Sequence, residues 1–215
     1  MIEAKHHIPN EILVAYSTGT LPEAFSIIVA CHISLCDKCR VEVEALDAVG
    51  GAILTNQEKI DVDDDSFLKT MELISNSNEK VLETEKSSKS IYPNPLKNYI
   101  GHSEDEIKWK PIGGGIKQSI LFNNKDASAR LLSIPAGMEL PDHSHKGLEM
   151  TMVLQGAFSD EVAHFERGDI EIGDDKLTHT PKADPGELCI CLVATQAPLV
   201  FNNWLPKILQ PFIRI

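Results

Sequence analysis

Two cysteines and a histidine near the start of the chain have the types and spacing of metal ligands. They follow the pattern His-x3-Cys-x2-Cys over His32, Cys36 and Cys39. A Cys-x-x-Cys pair at the start of a helix can place two thiolates on one ion, and the histidine closes a third corner. A structural zinc site has four such ligands, and His6 and His7 are both candidates for the fourth. A thioredoxin-like redox pair is the weaker alternative, because the βαβ context that it needs is absent.

The other three cysteines favour buried thiols over ligands. Cys31 precedes His32, and on a helix it points about 100° away from it. Cys189 and Cys191 alternate along one apolar run and therefore share a strand face. We interpret them as core thiols, and a redox-sensitive pair near a metal is the alternative. Five cysteines, an odd number, argue against a disulfide framework.

A second set of candidate ligands lies in the other half of the chain. Residues 137–156 read Gly-x5-His-x-His-x3-Glu-x6-Gly, which matches the first cupin motif at every fixed position. His143 and His145 are two apart on a predicted strand, so both imidazoles point to one face. A turn after them returns the chain, so that Glu149 can reach the same ion.

The second cupin motif supplies one further histidine. His179 lies eleven residues after Gly168, as the pattern requires, although Asp174 and Lys176 stand where the pattern has proline and glycine. The predicted ligand set is therefore His143, His145, Glu149 and His179. Three histidines and a carboxylate suit zinc, and also iron, manganese, nickel or copper. His102 and His164 have no partners at ligand spacing, and we expect both at the surface or in a linker.

The elements that must position these ligands change type near the middle of the chain. Residues 1–78 show helical periodicity, with proline-started helices near residues 9–16 and 22–30. A third helix is predicted over residues 37–48, with Gly50 and Gly51 as its stop. A fourth is predicted after the acidic run at 63–65, with an apolar face of Phe67, Leu68, Met71 and Ile74.

The second half of the chain reads as strands. Residues 79–100 are rich in polar residues and are predicted as an interdomain linker. Residues 101–215 contain short apolar runs separated by turn signals. The predicted fold is a small all-α zinc-binding N-terminal domain, a linker, and an all-β cupin domain, which is a double-stranded β-helix or jelly-roll barrel.

The bulk composition narrows the possible partners. The formal net charge is −12 over 215 residues, so the chain lacks the basic footprint of a nucleic-acid-binding protein and favours a basic partner. No signal peptide and no bilayer-spanning apolar run is present. We therefore expect a cytoplasmic protein with no membrane contact and no direct contact with nucleic acid.

The N-terminal motifs and the cupin motif together resemble one known family. The segments from His6-His7 through residues 32–39 to Leu46-Asp47-Ala48-Val49-Gly50-Gly51 closely resemble the zinc anti-sigma factors of the ChrR type. The family pattern has one early histidine before His-x3-Cys-x2-Cys, which implies His7 as the fourth ligand. The resemblance also implies a C-terminal cupin-like domain, and it therefore covers nearly the whole chain.

The resemblance implies a regulator and not an enzyme. In that family the helical domain, folded around zinc, binds an extracytoplasmic-function sigma factor and keeps it from RNA polymerase. The cupin is associated with sensing singlet oxygen and related oxidative stress. The alternative is a metal-dependent cupin enzyme of the dioxygenase kind with an N-terminal docking module. Glu149 as a fourth protein ligand favours the regulator, because it leaves fewer open positions for a substrate.

Overall fold

The computed structural model describes residues 4–77, 90–101 and 103–201. Within these residues the helices lie mostly in the first half. They are α1 (Asn10–Ser17), α2 (Glu23–Ile33), α3 (Asp37–Thr55), α4 (Ser66–Asn76), α5 (Asn94–Ile100) and a 3₁₀ turn at Glu104–Glu106. None of the described helices is both long and apolar enough to cross a membrane.

The second half is built from antiparallel strands. They are β1 (Lys110–Gly113), β2 (Ile116–Asn123), β3 (Ser128–Ile134), β4 (His143–Ser144), β5 (Glu149–Gln155), β6 (Ala157–Ser159), β7 (His164–Glu166), β8 (Ile170–Gly173), β9 (Thr178–His179), β10 (Lys182–Ala183), β11 (Cys189–Thr195) and β12 (Val200–Phe201). One sheet has the order β1-β2-β3-β11-β5-β8, and two three-stranded sheets have the orders β10-β6-β7 and β12-β4-β9. The short apolar runs of the sequence, at residues 119–122, 129–134, 149–154 and 188–194, coincide with β2, β3, β5 and β11 to within one residue or lie inside them.

Helix α2 joins the two halves of the molecule. Its sequence is apolar on all sides, and seven of its eleven residues are buried. A helix of this kind needs partners all round. It packs against α1, α3 and α5, and also against β3, β5 and β11 of the large sheet. Phe25, Ile28 and Val29 of α2 belong to the same core cluster as Leu131 and Leu192 of the sheet.

The central strands of the large sheet are buried on both faces. In β11, Ile190, Leu192 and Ala194 belong to the core shared with α2, whereas Cys191 and Val193 belong to a second cluster. This division follows from the two-residue period of a strand. It explains why β11 is apolar from Cys189 to Ala194 instead of alternating with polar residues.

Two helices differ from the sequence-based expectation. Helix α3 does not end at residue 48 but continues through Gly50 and Gly51 to Thr55. Glycine lowers helix stability without forbidding the helix, and neither residue has a positive φ.

Helix α5 lies within the predicted linker, and its Leu96 is fully buried. The segment is polar in its overall composition, but it contains a short apolar stripe in α5 that packs on α2. Residues 78–89 of the predicted linker lie outside the described residues.

A band of apolar side chains on α3 and α4 remains exposed. The predicted apolar face of α4 exists, but Phe67 is 71% exposed and Leu68 is 61% exposed. The final turns of α3 also expose apolar side chains. The exposed apolar side chains of the two helices, which we call the α3–α4 apolar face, are Val49, Ile53, Leu54, Phe67, Leu68, Met71 and Ile74. Exposed apolar patches of this kind mark interaction surfaces.

Candidate metal centres

The N-terminal cluster forms where two helices meet. His32 lies in the last turn of α2, Cys36 precedes the first residue of α3, and Cys39 lies in the first turn of α3. The amide of Cys36 donates to the carbonyl of His32 at 2.8 Å and so closes the turn between the helices. His7 approaches from the extended segment before α1. The turn between α2 and α3 thus positions three of the candidate ligands, and the segment before α1 contributes the fourth, His7.

The distances in this cluster suit a tetrahedral ion. The Nδ1 atom of His7 lies 3.4 Å from Sγ of Cys36 and 3.7 Å from Sγ of Cys39. Zinc bonds of about 2.0 Å to nitrogen and about 2.3 Å to sulfur give N···S separations of about 3.5 Å at tetrahedral angles. One donor atom each from His7, His32, Cys36 and Cys39 lies within 4.8 Å of the others.

His32 gives the clearest indication that the cluster fits a metal ion. Its Nδ1 donates to the carbonyl oxygen of Gly168 at 2.9 Å, which leaves the lone pair on Nε2. That Nε2 is buried and has no hydrogen-bond partner within the described part of the chain. Burial lowers the pKa of His32 to about 4, so the ring stays neutral at physiological pH. A buried neutral imidazole with an unsatisfied acceptor fits a metal ion.

Neighbouring residues with similar chemistry lie elsewhere. The Nε2 of His6 lies 3.1 Å from the carbonyl oxygen of His164, and its ring packs 4.6 Å from that of Phe165. The structure therefore brings His7, and not His6, to the two thiols. Cys31 is fully buried in the core, and burial raises its pKa to about 12. His164 is exposed as expected, and His102 lies outside the described residues.

Three histidines of the barrel converge on one point. The Nε2 of His179 lies 3.2 Å from Nε2 of His143 and 3.2 Å from Nε2 of His145. His143 and His179 are directly opposite one another in the β4–β9 pair, and this register brings their rings together. All three residues are buried. Nitrogen atoms about 3 Å apart are typical of imidazoles that share one ion at bonds of about 2.1 Å.

The outer nitrogens of these rings have their own acceptors. The Nδ1 of His143 donates to the carbonyl oxygen of Pro141 at 2.8 Å. The Nδ1 of His179 lies 2.9 Å from Asp160 and 3.0 Å from Glu171. Burial alone would lower the pKa of His179, but Glu171 and Asp160 outweigh it and raise that pKa to about 9. Outer acceptors of this kind fix the tautomer that presents Nε2 to a metal.

Glu149, the predicted fourth ligand, occupies a different place. Its carboxylate lies 3.5 Å from Nδ1 of His145, on the outer side of that ring. Burial acts to raise the pKa of Glu149, but His145 and the other two histidines of the cluster lower it overall. The structure thus groups His143, His145 and His179 and places Glu149 next to them. Its role as a direct ligand stays a prediction.

A small cavity adjoins the barrel cluster. Its volume is ≈ 60 Å³, and its polar lining includes Arg130, Thr151 and Glu171 beside His143 and His179. Sites for organic ligands usually measure several hundred Å³. The cavity therefore has room for an ion and a few waters, and not for a large substrate.

Comparison with known proteins places this geometry in a family. Residues 98–198 match the family model of the ChrR cupin-like domain. The anti-sigma-E factor ChrR of Cereibacter sphaeroides is 46% identical over 211 residues, which is 98% of this chain and 99% of that protein. The chain belongs to the ChrR family of anti-sigma factors. The predicted resemblance is thereby confirmed.

Solved structures agree with the ChrR assignment. A crystal structure of Rhodobacter sphaeroides SigE in complex with the anti-sigma ChrR matches with a TM-score of 0.78 and 44% identity. The match covers 89% of this chain and 99% of that chain. The predicted helical domain followed by a cupin-like domain is confirmed. An acetylacetone dioxygenase from Acinetobacter johnsonii matches with a TM-score of 0.44 and 13% identity, over 59% of this chain and 87% of that chain. That likeness is too low to support the enzyme alternative.

Membership of the ChrR family also decides between the two predicted functions. The near-full-length relative is named as an anti-sigma factor, which is a regulator. The expectation that the chain is not an enzyme is therefore confirmed by its family.

Sequence reasoning did not predict the contacts that four residues of this ChrR-type protein make with the candidate ligands or with the chain beside them. They are Asp160 and Glu171 behind His179, and Gly168 and Asp169 beside the N-terminal cluster. Glu171 carries a signal that could have been used, because it is an acidic residue between two isoleucines of one strand. Asp160 carries none, since it lies in a polar turn of ordinary composition.

Proposed function

We propose that this protein is a zinc-dependent anti-sigma factor. It sequesters an extracytoplasmic-function sigma factor in the cytoplasm and releases it on oxidative stress of the singlet-oxygen type. The observation that carries the proposal is the near-full-length similarity to a ChrR chain whose crystal structure is a complex with SigE. We assign residues 1–78 to the sigma-binding domain, 79–100 to the linker, and 101–215 to the cupin-like sensor.

The α3–α4 apolar face supports the sigma-binding role. Its side chains lie on the two helices that follow the zinc-ligand turn, and Leu54 and Phe67 are each more than 70% exposed. A binding surface needs an apolar centre that loses water on association. The net charge of −12 favours a basic partner. Protein regions that bind DNA and polymerase are commonly basic, so a sigma factor fits this charge.

Zinc would hold the N-terminal binding surface together. His7, His32, Cys36 and Cys39 would bind it, and the ion would join α2, α3 and the segment before α1. Below about 80 residues a hydrophobic core alone gives little stability, and a structural metal commonly supplies the rest. Loss of the ion would therefore loosen the surface that the sigma factor contacts.

The barrel cluster would be the input site. His143, His145 and His179 would bind zinc or another divalent transition metal, with Glu149 available as a fourth ligand. Histidine ligands tolerate several metals, so this site is open to chemistry that a closed Cys/His zinc site is not. A change of the metal or of its ligands would alter the packing of the barrel, and α2 packs directly on the barrel sheet.

Binding of a purified extracytoplasmic-function sigma factor from the same organism tests the proposal. Isothermal titration of the full-length protein should give a one-to-one complex, and treatment with a strong zinc chelator should abolish it. Addition of zinc to the chelated protein should restore binding. Absence of a complex with the metal-loaded protein would refute the anti-sigma role, whereas binding that survives complete zinc removal would refute zinc dependence alone.

Release is tested separately by transcription. A reconstituted reaction with RNA polymerase, sigma factor and this protein should be silent in the dark. Illumination with a singlet-oxygen photosensitiser should restore transcription. His143→Ala should keep the repression and weaken the response to light. Full induction in that variant would refute the sensor role of the barrel site.

A further inference from the structure

One turn of the barrel contacts the chain next to both histidines of the N-terminal cluster. The turn between β7 and β8 contains Gly168 and Asp169. The carbonyl of Gly168 accepts the hydrogen bond from Nδ1 of His32, 136 residues away in sequence. Asp169 contacts the segment that immediately precedes His7.

The contacts of Asp169 are those of a buried anchor. Its carboxylate accepts hydrogen bonds from the backbone amides of Lys5 at 2.6 Å and His6 at 3.0 Å. The other oxygen accepts from the amide of Glu166 at 2.9 Å, within the barrel. The residue is 1% exposed. The amide of Ile170 donates to the carbonyl of His6 at 3.3 Å, which adds a backbone contact to the same segment.

A buried carboxylate makes this contact specific. An ionised carboxylate is costly to bury unless hydrogen-bond donors satisfy it. Asp169 therefore requires the amides of Lys5 and His6, and these amides would lose their acceptor if Asp169 were removed. The nearby ion pair between Lys5 and Glu166 is exposed on both sides and contributes little by comparison.

We propose that Gly168 and Asp169 are positioning residues for the N-terminal metal site, and that they couple zinc binding in the helical domain to docking of the barrel. This inference rests on the proposed zinc at that site. Gly168 fixes the ring of His32 so that Nε2 faces the ion, and Asp169 fixes the backbone from which His7 reaches it. Outer partners of this kind change metal affinity by about 10–100-fold. Coupling is reciprocal, so a disturbed barrel lowers zinc affinity by the same factor that zinc loss weakens docking.

The test uses two pairs of full-length variants. Asp169→Asn removes the charge of the anchor, and Asp126→Asn, in the exposed turn between β2 and β3, is the charge-matched control. Lys5→Pro deletes one of the two amide donors without changing the barrel. Lys5→Gln keeps that amide and removes only the exposed ion pair, so it is the control for Lys5→Pro.

Cobalt reports on the N-terminal site alone, because thiolate-to-cobalt absorption arises only where cysteines are ligands. Zinc is titrated against that absorption to obtain its affinity, and amide exchange at His6 is followed in metal-free protein, because this amide is present in all variants. Asp169→Asn and Lys5→Pro should weaken zinc binding about ten-fold or more and accelerate exchange at His6, while both controls match the wild type.

The outcomes separate this inference from the proposed function. Unchanged zinc affinity in both Asp169→Asn and Lys5→Pro would overturn the positioning role. Lys5→Gln weakening zinc as strongly as Lys5→Pro would overturn it as well, because the ion pair would then explain the effect. A wild-type protein without thiolate–cobalt absorption would instead refute the N-terminal zinc site of the proposed function.

Discussion

The carboxylate of Asp160 accepts a hydrogen bond from Nδ1 of His179 at 2.9 Å, and both side chains are inaccessible to water. Glu171 lies 3.0 Å from the same nitrogen. Burial raises the pKa of Glu171 to about 7. Burial acts in the same direction on Asp160, but hydrogen bonds from Glu171, Ala163 and His179 hold its pKa at about 2. Asp160 is therefore the stronger acid of the two carboxylic acids behind His179.

Asp160→Asn should weaken metal binding at the barrel site by about 10–100-fold. The substitution keeps Oδ1, which accepts from the amides of Val162 and Ala163, so the turn is preserved. It removes the charge that orients His179. Metal affinity is measured by competition with a chromophoric chelator, and Asp126→Asn is the control. An affinity equal to that of the wild type would show that Asp160 does not support the ligand.

Cys36→Ser should reduce the metal content from about two ions per chain to about one. A serine hydroxyl is a poor zinc ligand, so the N-terminal helices should lose stability while the barrel keeps its ion. Cys31→Ala is the matched control, because Cys31 is a buried thiol outside the cluster. It should cost about 1 kcal/mol through lost packing and leave the metal content unchanged. Elemental analysis and thermal unfolding are measured for both variants. Loss of an ion in Cys31→Ala but not in Cys36→Ser would contradict the assignment of the ligands.

Leu68→Asp should weaken sigma-factor binding by about 30-fold or more without unfolding the protein. Leu68 is 61% exposed, so the charge costs little in the free protein but must be buried in the complex. Thr70→Asp places the same charge on the same helix, outside the α3–α4 apolar face. Isothermal titration compares the two variants. Equal affinities would mean that this face of α4 is not the contact surface.

Replacing Gly50 and Gly51 together by alanine should stabilise α3 by about 1–2 kcal/mol. A Cβ at either position meets nothing within 4 Å, and neither residue has a positive φ. Gly156→Ala should do the opposite, because Gly156 has a φ of +70° and a Cβ there would lie 2.8 Å from the carbonyl oxygen of Leu188. We expect a loss of about 1–3 kcal/mol in that variant. Chemical denaturation followed by circular dichroism measures both changes.

The sequence alone determined the features that depend on local geometry. His32, Cys36 and Cys39 lie within two helix ends and one turn, so their spacing is enough to bring them together. The alternation of His143 and His145 follows from the two-residue period of a strand. The order of helical and β regions likewise follows from local periodicity.

Only the tertiary structure decided the features that depend on contacts between distant segments. His6 and His7 are adjacent and chemically identical, and residue spacing left both open. Which of them reaches the two thiols depends on the packing of the N-terminal segment against Asp169, 163 residues beyond His6. The burial of Leu96 and the pairing of Asp160 with His179 have the same origin. Each depends on which surfaces pack against one another in the folded chain, and the local periodicity of the sequence does not specify those contacts.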